Sequence, residues 1–249
     1  MRIAGGLGLL AGLGLMGTAL AAPQTLTSPA TRVNLMELYT SEGCDDCPPA
    51  EAWLSQFTDD KRLWNELVPV AFHVDYWDSP DWRDPFDNSA YTARQHGISA
   101  HAGDTTIYTP EFVVNGQEWQ GYFNQIPLYM PEEPKVGVLS LRADGGRVSL
   151  HFAPIAPTGS RLEAHAVLLA FGVDMQVGGG ENKGATLRHD FLVVAYGRAG
   201  MGAKDGGYDA QITLAPIRVK AARYALAAWV SPAGDPTPLQ AVGGWTAGP

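Results

Sequence analysis

Two cysteines set three residues apart, Cys44 and Cys47, are the only thiols of this 249-residue chain. They stand in the stretch LYTSEGCDDCPPAEAWL, residues 38–54. Cysteines at positions i and i+3 lie on one side of a helix, so their sulfurs can join in a disulfide with modest strain. A C-x-x-C pair supports thiol–disulfide exchange, in which the thiolate is the nucleophile. The spacing therefore predicts redox chemistry, with a structural disulfide and metal capture as the alternatives.

The residues around the cysteines predict a strand followed by a helix. RVNLMELYT (32–40) is rich in strand-forming residue types, and the apolar residues at 50, 53, 54 and 57 line one face of a helix. Two prolines directly after Cys47 fit the first turn of that helix, where a missing amide proton costs little. Cys44 is thus predicted at the strand–helix junction, where free amides and the helix dipole stabilise a thiolate.

Later motifs predict the rest of a small parallel sheet. VPVAFHVDYW (68–77) is typical of a buried strand, and the order strand, helix, strand implies a right-handed crossover and a parallel pair. DPFDNSAYTARQHG (84–97) predicts a second helix that ends at its final glycine, and EFVVNG (111–116) predicts another strand. A cis Thr109–Pro110 bond at the start of that strand would turn the chain back beside the disulfide.

The chain changes character after the proline-bearing polar segment YMPEEPKVG (129–137). Beyond it, strand-like runs alternate with Gly and Pro, and helical periodicity is almost absent. Such a series is typical of an antiparallel sandwich. We therefore predict an α/β domain over residues 32–130, followed by an all-β sandwich-like domain over residues 135–249.

The first 21 residues predict export. One cation, Arg2, precedes a short apolar run that ends in Ala19-Leu20-Ala21, the order of a cleaved signal peptide, with a retained membrane anchor as the alternative. The chain has 17 basic and 26 acidic residues and a net charge of −9, which disfavours nucleic acid and anionic lipid as partners. The expected location is the periplasm or the cell exterior, without stable membrane insertion after cleavage.

Together these motifs resemble the thioredoxin-like superfamily, and more closely a group of uncharacterised secreted bacterial proteins with such a domain and a C-terminal β-rich domain. The resemblance rests on ELYTSEGCDDCPPAEAWL, HVDYWDSPDWRDPF with TARQ, YTPEFVVNG and GENKGATLRHDFLVV. It implies an α/β thioredoxin-like domain with Cys44 as the exposed thiol, Cys47 as its resolving partner and Pro110 as the cis-proline. Thr109 and Pro110 would hold the substrate backbone by strand addition, and Tyr108 is a further candidate substrate-binding residue.

Three carboxylates bear on the thiol chemistry. Glu37 lies within the first strand, where a carboxylate is disfavoured unless it is exposed or functional. It is a candidate proton relay for Cys47, and a solvated edge residue is the alternative. Asp45 and Asp46 oppose a thiolate at Cys44 and so favour the disulfide. A reductase or isomerase is therefore expected rather than a strong oxidant.

Three histidines are candidate metal ligands. His101 could complete a copper or zinc site with the two thiols, whereas His96 is predicted as a helix-end cation and His73 as a satisfied core residue. None of them has a spacing that compels coordination. No metal and no cofactor are therefore expected.

Two further sequence patterns are compatible with ligand binding but have simpler explanations. Aspartates recur at every third position from Asp75 to Asp87, and turn and cap roles outweigh calcium binding because prolines interrupt any helix and no EF-hand pattern fits. GGGENKG (178–184) lacks the Ser or Thr of a phosphate-binding loop, so it is predicted as a loop of the sandwich.

The expected function is thiol–disulfide exchange on exported proteins. Cys44 would attack a substrate disulfide and Cys47 would resolve the mixed disulfide, so the partners are protein thiols or disulfides and a separate redox partner. The alternatives are a non-catalytic extracytoplasmic binding module with a structural disulfide, and a copper-handling protein that uses the two thiols.

Overall fold

The computed structural model describes residues 23–130, 133–216 and 218–246, so the predicted signal peptide at 1–21 lies outside the described residues. Within the described ranges no helix is long and apolar enough to cross a membrane. The elements are β1 (Gln24–Thr27), β2 (Asn34–Thr40), α1 (Cys47–Ser55), a 3-10 turn (Gln56–Asp59), β3 (Leu67–His73), α2 (Ser89–His101), β4 (Glu111–Val114), β5 (Gln117–Glu118), β6 (Gly137–Asp144), β7 (Arg147–Pro154), β8 (Leu162–Phe171), β9 (Val173–Gln176), β10 (Thr186–His189), β11 (Leu192–Gly200), β12 (Gly202–Lys204), β13 (Gly207–Thr213), β14 (Arg223–Pro232) and β15 (Gln240–Thr246).

The largest sheet has eight strands in the order β15-β14-β8-β11-β3-β2-β4-β5. β2 and β3 are parallel, as the strand–helix–strand order predicts, and β4 pairs with β2 in the antiparallel sense. β11 adds to the free edge of β3 through a parallel pairing at Leu192 and Ala71. Strands from both halves of the chain therefore form one sheet.

A second sheet packs on this one. It has five antiparallel strands in the order β1-β6-β7-β13-β12, and a separate hairpin pairs β9 with β10. β8 is buried along almost its whole length because its two faces serve different cores. Leu162 and Leu168 face the core shared with the five-stranded sheet, whereas Val167 and Leu169 belong to the core that contains α1 and α2 residues.

The predicted fold class, an α/β thioredoxin-like domain followed by an all-β sandwich-like domain, is wrong. The protein is nearly all β, with 45% of the described residues in strands and 12% in helical structure that includes two α-helices, and no separate α/β thioredoxin-like domain is evident among the described residues. The predicted strand–helix–strand unit forms, but its sheet does not end at β3. β11 extends the sheet at the edge of β3 through the pairing of Leu192 with Ala71, where the Ala71 amide donates to the Phe191 carbonyl at 2.9 Å.

The second helix is shifted along the chain relative to the prediction. It starts at Ser89, runs through Gly97 to His101, and is capped by Asn88, which accepts a hydrogen bond from the Ala90 amide at 2.9 Å. A glycine in a helix interior costs roughly 1 kcal/mol relative to alanine, and burial of Ile98 beyond Gly97 offsets that cost.

Candidate functional site

The Cys44–Cys47 disulfide lies between the end of β2 and the start of α1. The two Cα atoms are 5.4 Å apart, and Cys47 is the first residue of the helix. Pro48 and Pro49 occupy the first turn, as predicted, because proline supplies a helical φ and lacks only an amide proton that this turn leaves unused. β2 is buried along its whole length and so fixes the position of the loop before the disulfide.

The Thr109–Pro110 loop lies close to this segment. Its peptide bond is cis, and Glu111, the next residue, pairs with β2 near its carboxyl end. The ring nitrogen of Trp77 donates a hydrogen bond to Thr109 Oγ1 at 2.7 Å. The Trp77 Cβ atom lies 3.1 Å from the position that a Cβ on Gly43 would occupy. Trp77 therefore joins the loop before the cysteines to the predicted substrate-binding loop.

Tyr108, the other predicted substrate-binding residue, is fixed at both ends. Its hydroxyl donates a hydrogen bond to the Glu118 carboxylate. Its backbone carbonyl accepts one from Gln95 Nε2 at 2.8 Å. These contacts hold the chain that leads into Pro110.

Glu111 is a buried carboxyl group directly after Pro110. Burial raises its pKa to about 7, and the charges of Glu118, Glu37 and Asp104 act in the same direction, whereas a hydrogen bond from Gln95 lowers it. The site therefore contains a carboxyl group that titrates near neutral pH.

The loop 177–185, which joins β9 to β10, covers the disulfide segment, and we refer to it as the covering loop. Asn182 Nδ2 donates hydrogen bonds to two backbone carbonyls, those of Glu42 at 3.0 Å and Cys44 at 2.7 Å. Asn182, which lies in the second half of the chain, thus bonds the backbone carbonyls on both sides of Gly43.

Two further residues of the covering loop hold the same segment. The Glu181 carboxylate accepts a hydrogen bond from the Asp45 amide at 3.1 Å, and the Glu181 amide donates to the Gly43 carbonyl at 3.2 Å. Gly180 has a φ of +69°, and a Cβ there would lie 3.0 Å from the Gly43 Cα atom. A glycine is therefore required where the two loops meet.

The prediction that Cys44 is the exposed thiol is wrong for this conformation. Cys44 and Cys47 are 1% and 0% exposed, so neither sulfur is open to a protein substrate. The covering loop, which was predicted in a separate sandwich, bonds the backbone on both sides of Cys44 through Asn182 and Glu181. We therefore predict that access to the disulfide requires this loop to move.

Five titratable side chains form a second feature, and two of them, Glu42 and Glu51, flank the cysteines in sequence. The buried cluster comprises Glu42, Glu51, His73, Asp84 and His189, none more than 5% exposed. His189 Nδ1 bonds the Glu51 carboxylate, and His73 Nδ1 bonds Asp84 Oδ2 at 2.8 Å. His189 Nε2 lies 2.9 Å from Glu42 Oε1, but the pair lacks hydrogen-bond geometry and is a close ionic contact.

Charges in the buried cluster stabilise one another. Burial alone would lower the pKa of His189, but the Glu51 and Glu42 carboxylates raise it to about 10. Burial likewise opposes the charge of His73, yet Asp84 raises its pKa. The pKa values of Glu51 and Asp84 fall for the reciprocal reason: each faces a histidine.

The sequence did not reveal the buried cluster. His73 was predicted as a satisfied core residue, which holds for Nδ1 but not for Nε2, since Nε2 has no hydrogen-bond partner among the described residues. Glu42, Glu51 and His189 were not singled out. One signal was available: a glutamate four residues after Cys47 lies on the same helix face as that cysteine.

Glu37, the candidate proton relay, is part of a buried ion pair. Both of its oxygens contact the Arg94 guanidinium, and the Tyr39 hydroxyl donates to Oε2 at 2.9 Å. Arg94 also lies 4.9 Å from the ring centroid of Trp229. Thr40 lies on the opposite face of β2 from Glu37, and its hydroxyl bonds Glu51 of α1. Glu37 therefore faces α2, on the other side of the sheet from α1.

The other candidate ligands do not join the thiols. His101 Nε2 lies 3.6 Å from Asp235 Oδ1, and His96 is exposed. Asp75 accepts a hydrogen bond from Thr92 Oγ1 at 2.6 Å, and Asp78 accepts one from the Asp84 amide at 3.1 Å. The Asp78 contact lies within its own loop, as the predicted turn role requires, whereas the Asp75 contact joins that loop to α2.

Comparison with known proteins assigns a family. Residues 35–231 match the family model described as "Protein of unknown function (DUF1223)". The chain belongs to the DUF1223 family. The matched range contains the disulfide segment, the Thr109–Pro110 loop and the covering loop, so the DUF1223 unit includes every element of the candidate site. No curated protein gives a significant match.

Two solved structures share the fold of this DUF1223 protein. Protein AGR_C_4864 from Agrobacterium tumefaciens is 23% identical, with a TM-score of 0.56 over 85% of this chain and 94% of its own. HBP35 of Porphyromonas gingivalis is 15% identical, with a TM-score of 0.57 over 86% of this chain and 75% of its own. At these identities the likeness concerns the fold alone.

Proposed function

We propose that this protein carries out thiol–disulfide exchange on exported proteins through Cys44 and Cys47. The observation that supports the proposal most strongly is the position of the disulfide. It lies at the start of a helix that follows a buried strand, and Trp77 ties its loop to the cis Thr109–Pro110 loop. The positive end of the dipole of that helix favours a thiolate.

The exchange moves two electrons from the protein dithiol to a substrate disulfide. The Cys44 thiolate attacks one substrate sulfur, the substrate S–S bond breaks, and the first substrate thiolate leaves. The Cys47 thiolate then attacks Cys44 in the mixed disulfide, which releases the second substrate thiolate and leaves the Cys44–Cys47 disulfide. An external dithiol must reduce this disulfide before the next turnover.

The charges near the disulfide favour a reductase or isomerase. Asp45 and Asp46 are exposed beside the cysteines, and Glu181 of the covering loop adds a carboxylate on the Asp45 amide. Negative charge there opposes the Cys44 thiolate and so stabilises the disulfide relative to the dithiol. Strong oxidants of this chemistry instead stabilise the reduced form.

The proposed setting is the periplasm or the cell exterior. It rests on the signal-peptide pattern of residues 1–21 and on the persistence of disulfides in oxidising compartments. The proposed partners are protein thiols or disulfides and a separate dithiol donor.

A reduction assay tests the proposal. We expect the protein to accelerate the reduction of insulin disulfides by dithiothreitol, and we expect Cys44→Ser to abolish the acceleration. Thermal unfolding of the variant distinguishes loss of chemistry from loss of fold. The complete burial of the disulfide favours a second candidate, a non-catalytic binding module with a structural bridge. Equal rates with the protein, with Cys44→Ser and without protein would support that candidate and exclude the exchange function.

A further inference from the structure

The buried cluster contains polar atoms that the protein leaves without hydrogen bonds. Among the described residues, these are both carboxylate oxygens of Glu42 and the Nε2 atoms of His73 and His189. All three side chains are at most 1% exposed. Buried carboxylates and ring nitrogens are nearly always paired, and an unpaired group calls for a bound water or ion.

Both histidines are oriented in the manner of metal ligands. A metal-bound histidine typically donates its second ring N–H to a carboxylate, which fixes the tautomer and the ring direction. His73 Nδ1 bonds Asp84, and His189 Nδ1 bonds Glu51. In His73 the carboxylate lies on Nδ1 and Nε2 is left unpaired, whereas in His189 Glu51 lies on Nδ1 and Glu42 lies 2.9 Å from Nε2.

Three of these buried side chains converge on the same small space. One ligand atom from each of Glu51, His73 and His189 lies within 4.8 Å of the others. His73 Nε2 is 3.9 Å from Glu51 Oε1, and His189 Nε2 is 2.9 Å from Glu42 Oε1. Glu51 is itself held in place by Thr40, whose hydroxyl donates to Oε1 at 2.6 Å.

We propose that Glu51, His73 and His189 form a binding site for a divalent zinc ion, with the Glu42 carboxylate beside the ring of His189. Two imidazole nitrogens and a carboxylate oxygen are ligands that Zn²⁺ accepts, and three protein ligands leave its fourth position for water. Asp84 is a positioning residue in this site, because it acts through His73. The proposal does not depend on thiol exchange, since neither cysteine is a ligand.

Zinc titration of the oxidised, metal-depleted protein tests the site. We expect one zinc ion per chain in competition with a fluorescent chelator, at a dissociation constant of roughly 1 μM or tighter. Cobalt as a substitute should give visible d–d absorption without a thiolate-to-metal charge-transfer band, because the cysteines are joined in the disulfide. No stoichiometric binding of either ion would overturn the proposal and leave the buried cluster as a network of ion pairs.

Variants locate the ion. His189→Asn removes a ligand and should weaken zinc binding more than about 100-fold, and Asp84→Asn, which removes only the orienting charge, should weaken it about 10- to 100-fold. His101→Asn is the matched control, since it removes an exposed histidine outside the buried cluster. Unchanged affinity in Asp84→Asn, or an equal loss in His101→Asn, would overturn the proposed ligands.

Variants at buried positions require a measurement that remains informative when the protein is destabilised. Thermal unfolding with and without zinc reports whether Asp84→Asn remains folded before its affinity is compared. If His189→Asn does not fold, anomalous diffraction at the zinc edge from wild-type crystals replaces it. A peak between Glu51, His73 and His189 would support the site, and a peak elsewhere or none would contradict it.

Discussion

Asn182→Ala should make the disulfide easier to reduce. The Asn182 side chain donates hydrogen bonds to the carbonyls of Glu42 and Cys44 and thereby holds the covering loop over the cysteines. A small reductant reaches the buried sulfurs when this loop opens. Loss of the two hydrogen bonds should raise the population of the open state, while the disulfide itself is unchanged.

The size of the effect follows from the two bonds. A hydrogen bond contributes about 0.5 to 1.5 kcal/mol net, so the pair contributes roughly 1 to 3 kcal/mol. Asn182 is half-buried, and water can reach the freed carbonyls in the open state. We therefore expect the lower part of that range, a reduction rate that is roughly 5 to 30 times faster.

The assay measures the rate at which a phosphine reductant opens the disulfide, by alkylation quench and mass spectrometry. Lys183→Ala is the matched control, because it shortens the neighbouring exposed side chain of the same loop. Thermal unfolding checks that both variants stay folded. If Asn182→Ala and Lys183→Ala are reduced at the wild-type rate, the covering loop does not control access and this part of the reasoning fails.

Three further changes test the charges around the site. Asp45→Asn combined with Asp46→Asn should make the disulfide more oxidising by roughly 10 to 20 mV in glutathione equilibration, and an unchanged potential would remove the basis for a reductase. Arg94→Met should lower the free energy of unfolding by about 3 to 5 kcal/mol in urea, and adding Glu37→Gln should restore part of it; no recovery would mean that the ion pair is not the cause. Glu111 has a pKa raised from 4.5 to about 7 in the fold, so its stabilising contribution is complete below pH 4.5 and is lost as the pH rises through 7. Glu111→Gln should therefore flatten the fall in melting temperature between about pH 5 and 8, and an unaltered profile would refute the assignment.

Local sequence patterns were sufficient for the elements around the disulfide. Each signal there spans only a few residues, so the sequence alone predicts β2 and α1. The signals are the strand-forming residues before Cys44, the prolines in the first helical turn and the apolar spacing of α1. The same holds for the parallel pairing of β2 and β3, which follows from the handedness of the connection. Pro110 was predicted to follow a cis bond, and the bond is cis.

Those local patterns do not predict which distant strands pair with one another. An apolar strand such as β11 carries no mark of which strand it will pair with, so its addition to β3 could not be foreseen. The packing of the covering loop could not be predicted for a related reason. Its glycines predict a loop, but they do not indicate the segment on which that loop packs. His189 reaches the buried cluster only through that same packing, 138 residues from Glu51.

The reduction potential of the Cys44–Cys47 pair tests the central claim most directly. Equilibration of the protein with glutathione buffers, followed by alkylation and mass spectrometry, gives the potential of the two-electron couple. The proposed reductase or isomerase should lie between roughly −270 and −180 mV, where exchange with cellular dithiols is reversible. A value below about −300 mV, typical of a structural disulfide, would contradict exchange, and a value near −120 mV would contradict the proposed direction.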